Sequence, residues 1–530
     1  MPTSNLIVFP LIAAAAGHLG GAGVGSKVTP PNAPAPPATP ATQSVTGYVY
    51  VRDPNVAYPP NYTPGFGVEG VEISVGNQTV VTGPDGTYRF TIPQENTTGY
   101  INLTAKKDGY LSTQYPVSFN QIGQNINVAL YDPVEIKPRP GFVSGVIPMD
   151  SGGWIPDIYK ARLFPSTFNI INYNINPNYA VIVNTIWVTK LDTKANLVKL
   201  EENDGAQVMS PTADMWKNLT PQMREFGLKP MMLIDIFASS NVQNWYTQVQ
   251  SVPSNNEMFW KSFFQQYTDL VLLRIKTCND LGVDMVVLGM NQGFMTSLPQ
   301  HYMEDLVRTV RAAGYKGKIG WFSGVNGGQH EYSETETIKY YYGQDGLNSF
   351  AGLFDFIGLN INTVIQNEGL GTPTNPIQSR ENIKINIRDI LNRVSNLSVP
   401  IYLQIATPSV HGAASLSNYI EPCLDCDGHG ADRFERELNE QADLYQAVAE
   451  VVNDTPTGNG RVMGLFTWGY NYKNDFSREV NGAPVAFDKS ASIRGKPAEY
   501  VMRNWIAGWR GYVPRSLPVP ANSPNLVGQK

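Results

Sequence analysis

The stretch "MVVLGMNQGF", residues 285–294, decides how the chain is read. Its first six residues are apolar or glycine, with none to mark a solvent face, which is the pattern of a strand covered on both sides. The run then breaks at Asn291, Gln292 and Gly293, as a strand does where it opens into a loop. Outward from this point the pattern repeats. "YAVIVNTIWV" (179–188), "KPMMLIDIF" (229–237), "KIGWFSG" (318–324), "FDFIGLNI" (354–361), "VPIYLQIA" (399–406) and "VMGLFTWGY" (462–470) are runs of the same kind. Between them lie stretches with apolar residues at helical spacing, such as "NEMFWKSFFQQYTDLVLLRIKTCNDLG" and "YMEDLVRTVRAAG". Strand and amphipathic helix alternating across residues 132–510 point to a parallel (β/α)8 TIM barrel rather than an open sheet. One strand near the start of that region is not apparent.

Upstream the pattern changes. Residues 46–131 read as short alternating strands, with "GPDG" at 83–86 expected to be a hairpin turn. An all-β sandwich follows from that spacing. Residues 29–45 include "TPPNAPAPPATPAT" and form an extended spacer. Before them, residues 1–28 carry a short apolar stretch from Leu6 to Ala16, interrupted by Pro10 and lacking a basic lead. They read either as a weak secretion signal or as an arm that packs into a larger assembly. Residues 511–530 form a Pro-rich tail.

Composition narrows the function. Charged residues are only 16%, while Gly (48) and Pro (39) are plentiful, which suits an extracellular or particle-bound protein with uncharged polar surfaces. A formal charge of −6 and the lack of any basic run argue against a nucleic-acid partner. No stretch reaches the roughly 20 apolar residues needed to span a bilayer. Three cysteines are too few for a disulfide framework. Cys423 and Cys426, with His429 nearby, leave a local disulfide, two free thiols or half a metal site open, and Cys278 lies on a predicted helix far away. No cofactor or metal is called for. Seven Asn-X-Ser/Thr triplets, at Asn61, Asn77, Asn96, Asn102, Asn218, Asn396 and Asn453, permit glycosylation.

In a barrel of this kind the site lies at the carboxyl ends of the strands. The residues there are Trp187, Asp235, Asn291, Gln292, Ser323, Asn326, Asn360, Asn362, Gln404, Thr407, Trp468 and Tyr470. That ring is aromatic and amide-rich with few charges. Aromatic faces stack on sugar rings, and amides both donate to and accept from hydroxyls, so the expected ligand is a neutral carbohydrate. The rival reading is that each aromatic merely caps the core.

Two resemblances sharpen this. "GVEGVEISV", "TGPDGTYRFTIP" and "KKDGY" resemble the carboxypeptidase regulatory-like, transthyretin-like sandwich, which implies a spacer or adhesive unit. The ordered motifs "FGLKPMMLIDIF", "NDLGVDMVVLGMNQGF", "FDFIGLNI", "SVPIYLQIATPS" and "VMGLFTWGYNY" resemble the retaining (β/α)8 glycoside hydrolases, closest to the family containing endo-β-mannanases. That likeness implies an acid/base Glu after the fourth strand, where this chain has Asn291 or Gln292. It implies a nucleophile Glu at the seventh strand, where Gln404 stands, and a sugar-platform tryptophan at Trp468. The platform is kept and both carboxylates are missing.

Retaining cleavage needs two carboxyl groups roughly 5–5.5 Å apart. An amide can neither form the glycosyl-ester intermediate nor supply a proton, although it still hydrogen-bonds hydroxyls. Replacement carboxylates come from Asp235, from Asp475, or from Glu331, Glu334 and Glu336 in the loop after the fifth strand. His301, Glu304 and Asp305 open a helix and serve its N-terminus. The sequence therefore leads to a catalytically inactive, carbohydrate-binding or structural protein of a cell or virion surface such as a phage tail, assembling through residues 1–28. An active hydrolase using other carboxylates and a purely structural scaffold are the rivals.

Overall fold

The computed structural model describes residues 42–58, 66–75, 78–93, 100–111, 113–118, 125–132, 134–148, 163–202, 211–290, 295, 298–326, 346–363, 377–415, 435–470, 479–480, 483–484 and 489–514. Asn291, Gln292, Glu331, Glu334, Glu336, Cys423, Cys426, His429 and Asp475 lie outside them, as do the N-terminal arm and most of the tail.

The chain begins with seven strands: β1 (Thr42–Val51), β2 (Glu72–Val75), β3 (Gln78–Val81), β4 (Thr87–Pro93), β5 (Tyr100–Lys106), β6 (Thr113–Ser118) and β7 (Val128–Leu130). They form two sheets, β4-β1-β7 and β3-β2-β5-β6. Inward residues of both, among them Val45, Val49, Ile73, Phe90, Leu103 and Val117, share one apolar cluster. The "GPDG" turn differs from a hairpin. Asp85 accepts from the Thr87 backbone N–H (3.0 Å) and Gly86 takes a φ of 78°, but the turn hands the chain from β3 in one sheet to β4 in the other. The turn chemistry is local, whereas the pairing is set by which face each strand buries.

The barrel follows. Its elements in chain order are β8 (Val143–Pro148), α1 (Leu163–Asn174), β9 (Tyr179–Asp192), β10 (Leu197–Glu201), α2 (Ala213–Glu225), β11 (Lys229–Ala238), α3 (Trp245–Gln250), α4 (Glu257–Leu281), β12 (Met285–Met290), α5 (Gln300–Ala312), β13 (Lys318–Asn326), α6 (Gly346–Ala351), β14 (Phe356–Thr363), α7 (Arg380–Arg393), β15 (Ile401–Ile405), α8 (Leu438–Asp454), β16 (Val462–Tyr470) and α9 (Pro497–Arg510). Eight parallel strands run β8-β9-β11-β12-β13-β14-β15-β16, and β8 pairs with both β16 and β9 to close the ring. β10 adds to β9 as an antiparallel extension beyond the barrel. β8 is the strand the sequence hides: "VSGVIP" is short, interrupted by Gly145 and ended by Pro148.

The two faces of each strand feed different cores. Odd-numbered residues of β9 and β11, such as Val181, Val183, Met231 and Leu233, fill the barrel, while Ile182, Ile186, Ile234 and Ile236 pack under the helices. Three glycines make room for rings inside. A Cβ on Gly145, Gly320 or Gly358 would come within 2.2, 2.1 and 1.6 Å of the Phe466, Phe356 and Phe322 rings respectively. The helices follow local rules as well. α4 starts at Asn256, whose side chain accepts from the Phe259 N–H, and stops at Gly282 with a φ of 63°. Its buried side, Phe259, Phe263, Tyr267, Val271, Ile275 and Cys278, repeats at helical spacing.

The N-terminal strands rest on α7, α8 and α9, with β6 packed against α9. Arg52, just past β1, donates from Nε to Asp443 Oδ1 on α8 (2.9 Å) and from Nη2 to Oδ2. Tyr131, just past β7, donates to the same carboxylate (3.0 Å). The Arg52 guanidinium lies 4.2 Å from the Tyr58 ring centroid. Beside it Arg380 meets Glu450 (3.2 Å), and Lys384 bridges Glu450 (3.0 Å) and Glu381 (2.9 Å). The backbone joins in too, with Glu381 N donating to Pro54 O (2.8 Å).

Candidate functional site

The mouth of the barrel is built from the carboxyl ends of its strands. Continuing the alternation of each strand beyond the core places Thr185 and Trp187 of β9, Asp235 and Phe237 of β11, Asn360 of β14 and Gln404 of β15 on the inner face. Trp468 of β16 joins the inner cluster directly and is half-buried. The strands β12 and β15 are the fourth and seventh of the ring, and Met290 and Gln404 stand at their carboxyl ends. They meet across the barrel: Gln404 Nε2 lies 3.8 Å from Met290 Sδ. Met290 points inward because the strand slips register after Val287, so that Gly289 faces Trp321 on the outside.

Gln404 is 3% exposed, and its Oε1 has no hydrogen-bond partner among the described residues. Trp187 is 4% exposed, and its indole Nε1–H is likewise without an acceptor among them. Burying such a group unpaired costs about 1–3 kcal/mol, and the described residues carry others away from the mouth, among them Trp321 Nε1, Gln441 Oε1 and Trp509 Nε1. Asp235 is the one carboxylate among the described inner-face residues at this end, and its Oδ1 accepts from the Ile236 backbone N–H (2.8 Å). Asn360 sits beside Gln404 in register and is buried.

Other expected site residues stand elsewhere. Ser323 falls on the outer parity of β13, between inward Phe322 and Gly324. Tyr470 is fully enclosed outside the wall, donating to Glu499 of α9. Gly469, at a φ of 88°, and the register shift after Trp468 turn Tyr470 away from the mouth. Thr407 is buried, and its carbonyl accepts from Gln441 on α8 (2.8 Å). His301, Glu304 and Asp305 lie in the first turns of α5, where Glu304 accepts from Gln300. Cys278 is buried beside Met232 Sδ (3.7 Å), and burial pushes its thiol pKa up. Asn326 and Asn362 are described only as backbone in β13 and β14. Phe237 was missed by the sequence reading, although counting two residues on from Asp235 along the same strand finds it.

No protein-family model and no curated protein matches the chain. Among solved structures it is similar to a GH113 β-1,4-mannanase complex, at 16% identity and a TM-score of 0.48, covering 69% of this chain and 98% of that one. It is also similar to the GH113 β-mannanase from Alicyclobacillus acidocaldarius, at 12% identity and TM-score 0.47, covering 70% and 98%. A family 1 β-glucosidase from Thermotoga maritima matches at 10% identity and TM-score 0.41, covering 71% and 99%. Among the described residues no helix is long and apolar enough to cross a membrane.

Proposed function

We propose that this chain holds a neutral carbohydrate at the mouth of a glycoside-hydrolase-like barrel without cleaving it, as a component of a cell or virion surface. The observation that carries the reading is Gln404. Its amide occupies the inner end of the seventh barrel strand, enclosed and with an oxygen that no described residue partners. A ligand hydroxyl is a natural donor to that oxygen, and an amide at this position cannot serve as a glycosyl nucleophile. Trp468 supplies an apolar face to a sugar ring and Asn360 a second amide. On this reading residues 46–131 form a carboxypeptidase regulatory-like unit, and residues 1–28 attach the protein to its assembly. The low charge and plentiful Gly and Pro support an extracellular setting.

One observation favours a different reading. Asp235 is 4% exposed on the inner face, and a second carboxylate from a loop, about 6.5–9.5 Å away, would complete an inverting pair. The two are separated by offering β-mannans, β-glucans and host glycans to the natural chain. The expected outcome is glycan binding without release of reducing sugar, weakened about tenfold by Trp468→Ala, the equivalent of roughly 1.4 kcal/mol. Sugar release that Asp235→Asn abolishes would overturn the non-catalytic reading in favour of hydrolysis.

A further inference from the structure

The segment that leaves the seventh barrel strand, just after Gln404, is irregular and yet buried. From Thr407 to Ser415 only His411 is partly exposed. Water does not reach the backbone polar groups of a loop placed this way, so the protein must pair them. Many of the partners come from the start of α8. Glu440 accepts from Gly412 N (2.7 Å) and Ala414 N (3.4 Å), and Gln441 donates to Thr407 O (2.8 Å). Immediately before the helix, Glu437 N donates to Ser409 O (2.9 Å), and Glu435 O accepts from His411 N (2.8 Å). A second set of bonds ties the loop to the segment before α9: Ser409 N donates to Lys489 O (3.2 Å), and Lys496 Nζ to Ser409 Oγ (2.9 Å).

Both supports are elements that the N-terminal strands cover. β6 packs against α9. On α8, Asp443 follows Glu440 by one turn; Arg52 holds both its oxygens and Tyr131 donates to one of them (3.0 Å). Arg52 also donates to Tyr50 Oη (3.0 Å), which ties it back to β1. Glu437, Glu440 and Asp443 recur every three residues at the start of α8. The helix dipole favours carboxylates at that end, but a buried row of them repels itself. Arg52 brings a cation to the row from the sandwich.

We infer that the sandwich holds the mouth loop in place: Arg52 and Tyr131 fix the first turns of α8, and those turns fix residues 407–415 beyond Gln404. The N-terminal unit is thereby a working part of the barrel rather than a detachable spacer. Arg52 is a positioning residue that acts on the mouth through α8. This coupling is independent of what the mouth binds. It is also reciprocal, so a ligand that orders the loop tightens the seam.

The test is hydrogen–deuterium exchange of the full chain, without ligand, read peptide by peptide. In Arg52→Met the amides of residues 407–415 should exchange about tenfold faster, as local opening becomes easier. Strand β11, which stands opposite β15 in the ring, should exchange as in the natural chain. Arg274→Met removes an ion pair with Glu202 (3.0 Å) on that far side and should leave residues 407–415 unchanged. Tyr131→Phe keeps the ring and the cation and removes one donor, so the loop should speed up by only about threefold. The double variant Arg52→Met, Asp443→Leu should return the loop close to its natural protection, because an apolar contact also docks the helix. Faster exchange in the sandwich strands with residues 407–415 unaltered would overturn the inference. So would acceleration spread equally over the loop and β11, which marks a loss of global stability only. Should Arg52→Met fail to fold, Tyr131→Phe decides between these outcomes.

Discussion

Asp443 on α8 and Gln404 on β15 are equally enclosed, each 3% exposed, yet their surroundings differ. Asp443 sits at the seam between the N-terminal strands and the barrel, where Arg52 holds both its oxygens and Tyr131 donates to one of them. Gln404 sits at the mouth, where its only described polar contact is a methionine sulfur and its oxygen has no described partner. At the seam the Asp443 carboxylate is answered from within the chain. At the mouth, Gln404 and Trp187 each keep a buried polar atom without a described partner. On the reading proposed above, the satisfied groups of the seam serve folding and the unpartnered pair at the mouth serves a ligand.

The strongest challenge to that contrast is to remove one partner at the seam. Arg52→Met leaves Asp443 buried without its cation, and breaking a buried pair from one side costs about 3–5 kcal/mol. Chemical denaturation of the full chain should show a loss of this size. The double variant Arg52→Met, Asp443→Leu should recover much of it, because two apolar side chains need no counter-charge. A single variant as stable as the natural chain would show that the seam is a loose contact, and the comparison would fail on that side.

Glu440 lies between the two regions. It is carried by α8, and its carboxylate accepts from Gly412 N (2.7 Å) and Ala414 N (3.4 Å) in the segment that leaves the seventh barrel strand. Burial, outweighing those backbone donors, pushes its pKa up to about 8, and the charge of Glu437 adds to the rise. In the unfolded chain the carboxyl loses its proton near its ordinary, lower value. Between the two values the folded state holds the extra proton, so stability falls as pH rises toward 8. Glu440→Gln keeps an acceptor for the Gly412 N–H and removes the titration. At pH 8 it should be more stable than the natural chain by about 1–4 kcal/mol. Each tenfold difference in proton affinity between the folded and unfolded chain is worth about 1.4 kcal/mol, and relaxation around the buried charge lowers the total. The gap should shrink to near zero at about pH 4.5, the ordinary range of the carboxyl. Parallel stability curves for the two proteins across that range would overturn the assignment.

These regions were not equally legible in the sequence. Seven barrel strands announced themselves because strands covered on both faces need uninterrupted apolar residues. β8 did not, since Gly145 exists to make room for Phe466, a reason visible only in three dimensions. The sequence reading found Trp187, Asp235, Asn360 and Gln404 by their places at the carboxyl ends of the strands; alternation turns these four inward, while Tyr470 departs from it where Gly469 turns the backbone. The seam was invisible. Arg52 and Asp443 are 391 residues apart, and charges on a helix such as α8 read as a solvated face until another layer covers them. Asn291 and Gln292, which opened the question of catalysis, lie outside the described residues.

The smallest effect on stability is expected at the mouth, and it sharpens the contrast most. Gln404→Met replaces an amide by an apolar side chain of similar length, next to a methionine already in contact with it. If the amide oxygen is held unpaired for a ligand, removing it relieves a desolvation cost instead of breaking a bond. The variant should therefore be as stable as the natural chain to within about 0.5 kcal/mol, or slightly more stable. Sugar affinity should nonetheless fall, because the ligand hydroxyl loses its acceptor. A marked loss of stability with unchanged binding would mean that Gln404 belongs to the core in the way Asp443 belongs to the seam, and that the mouth is not set apart for a ligand.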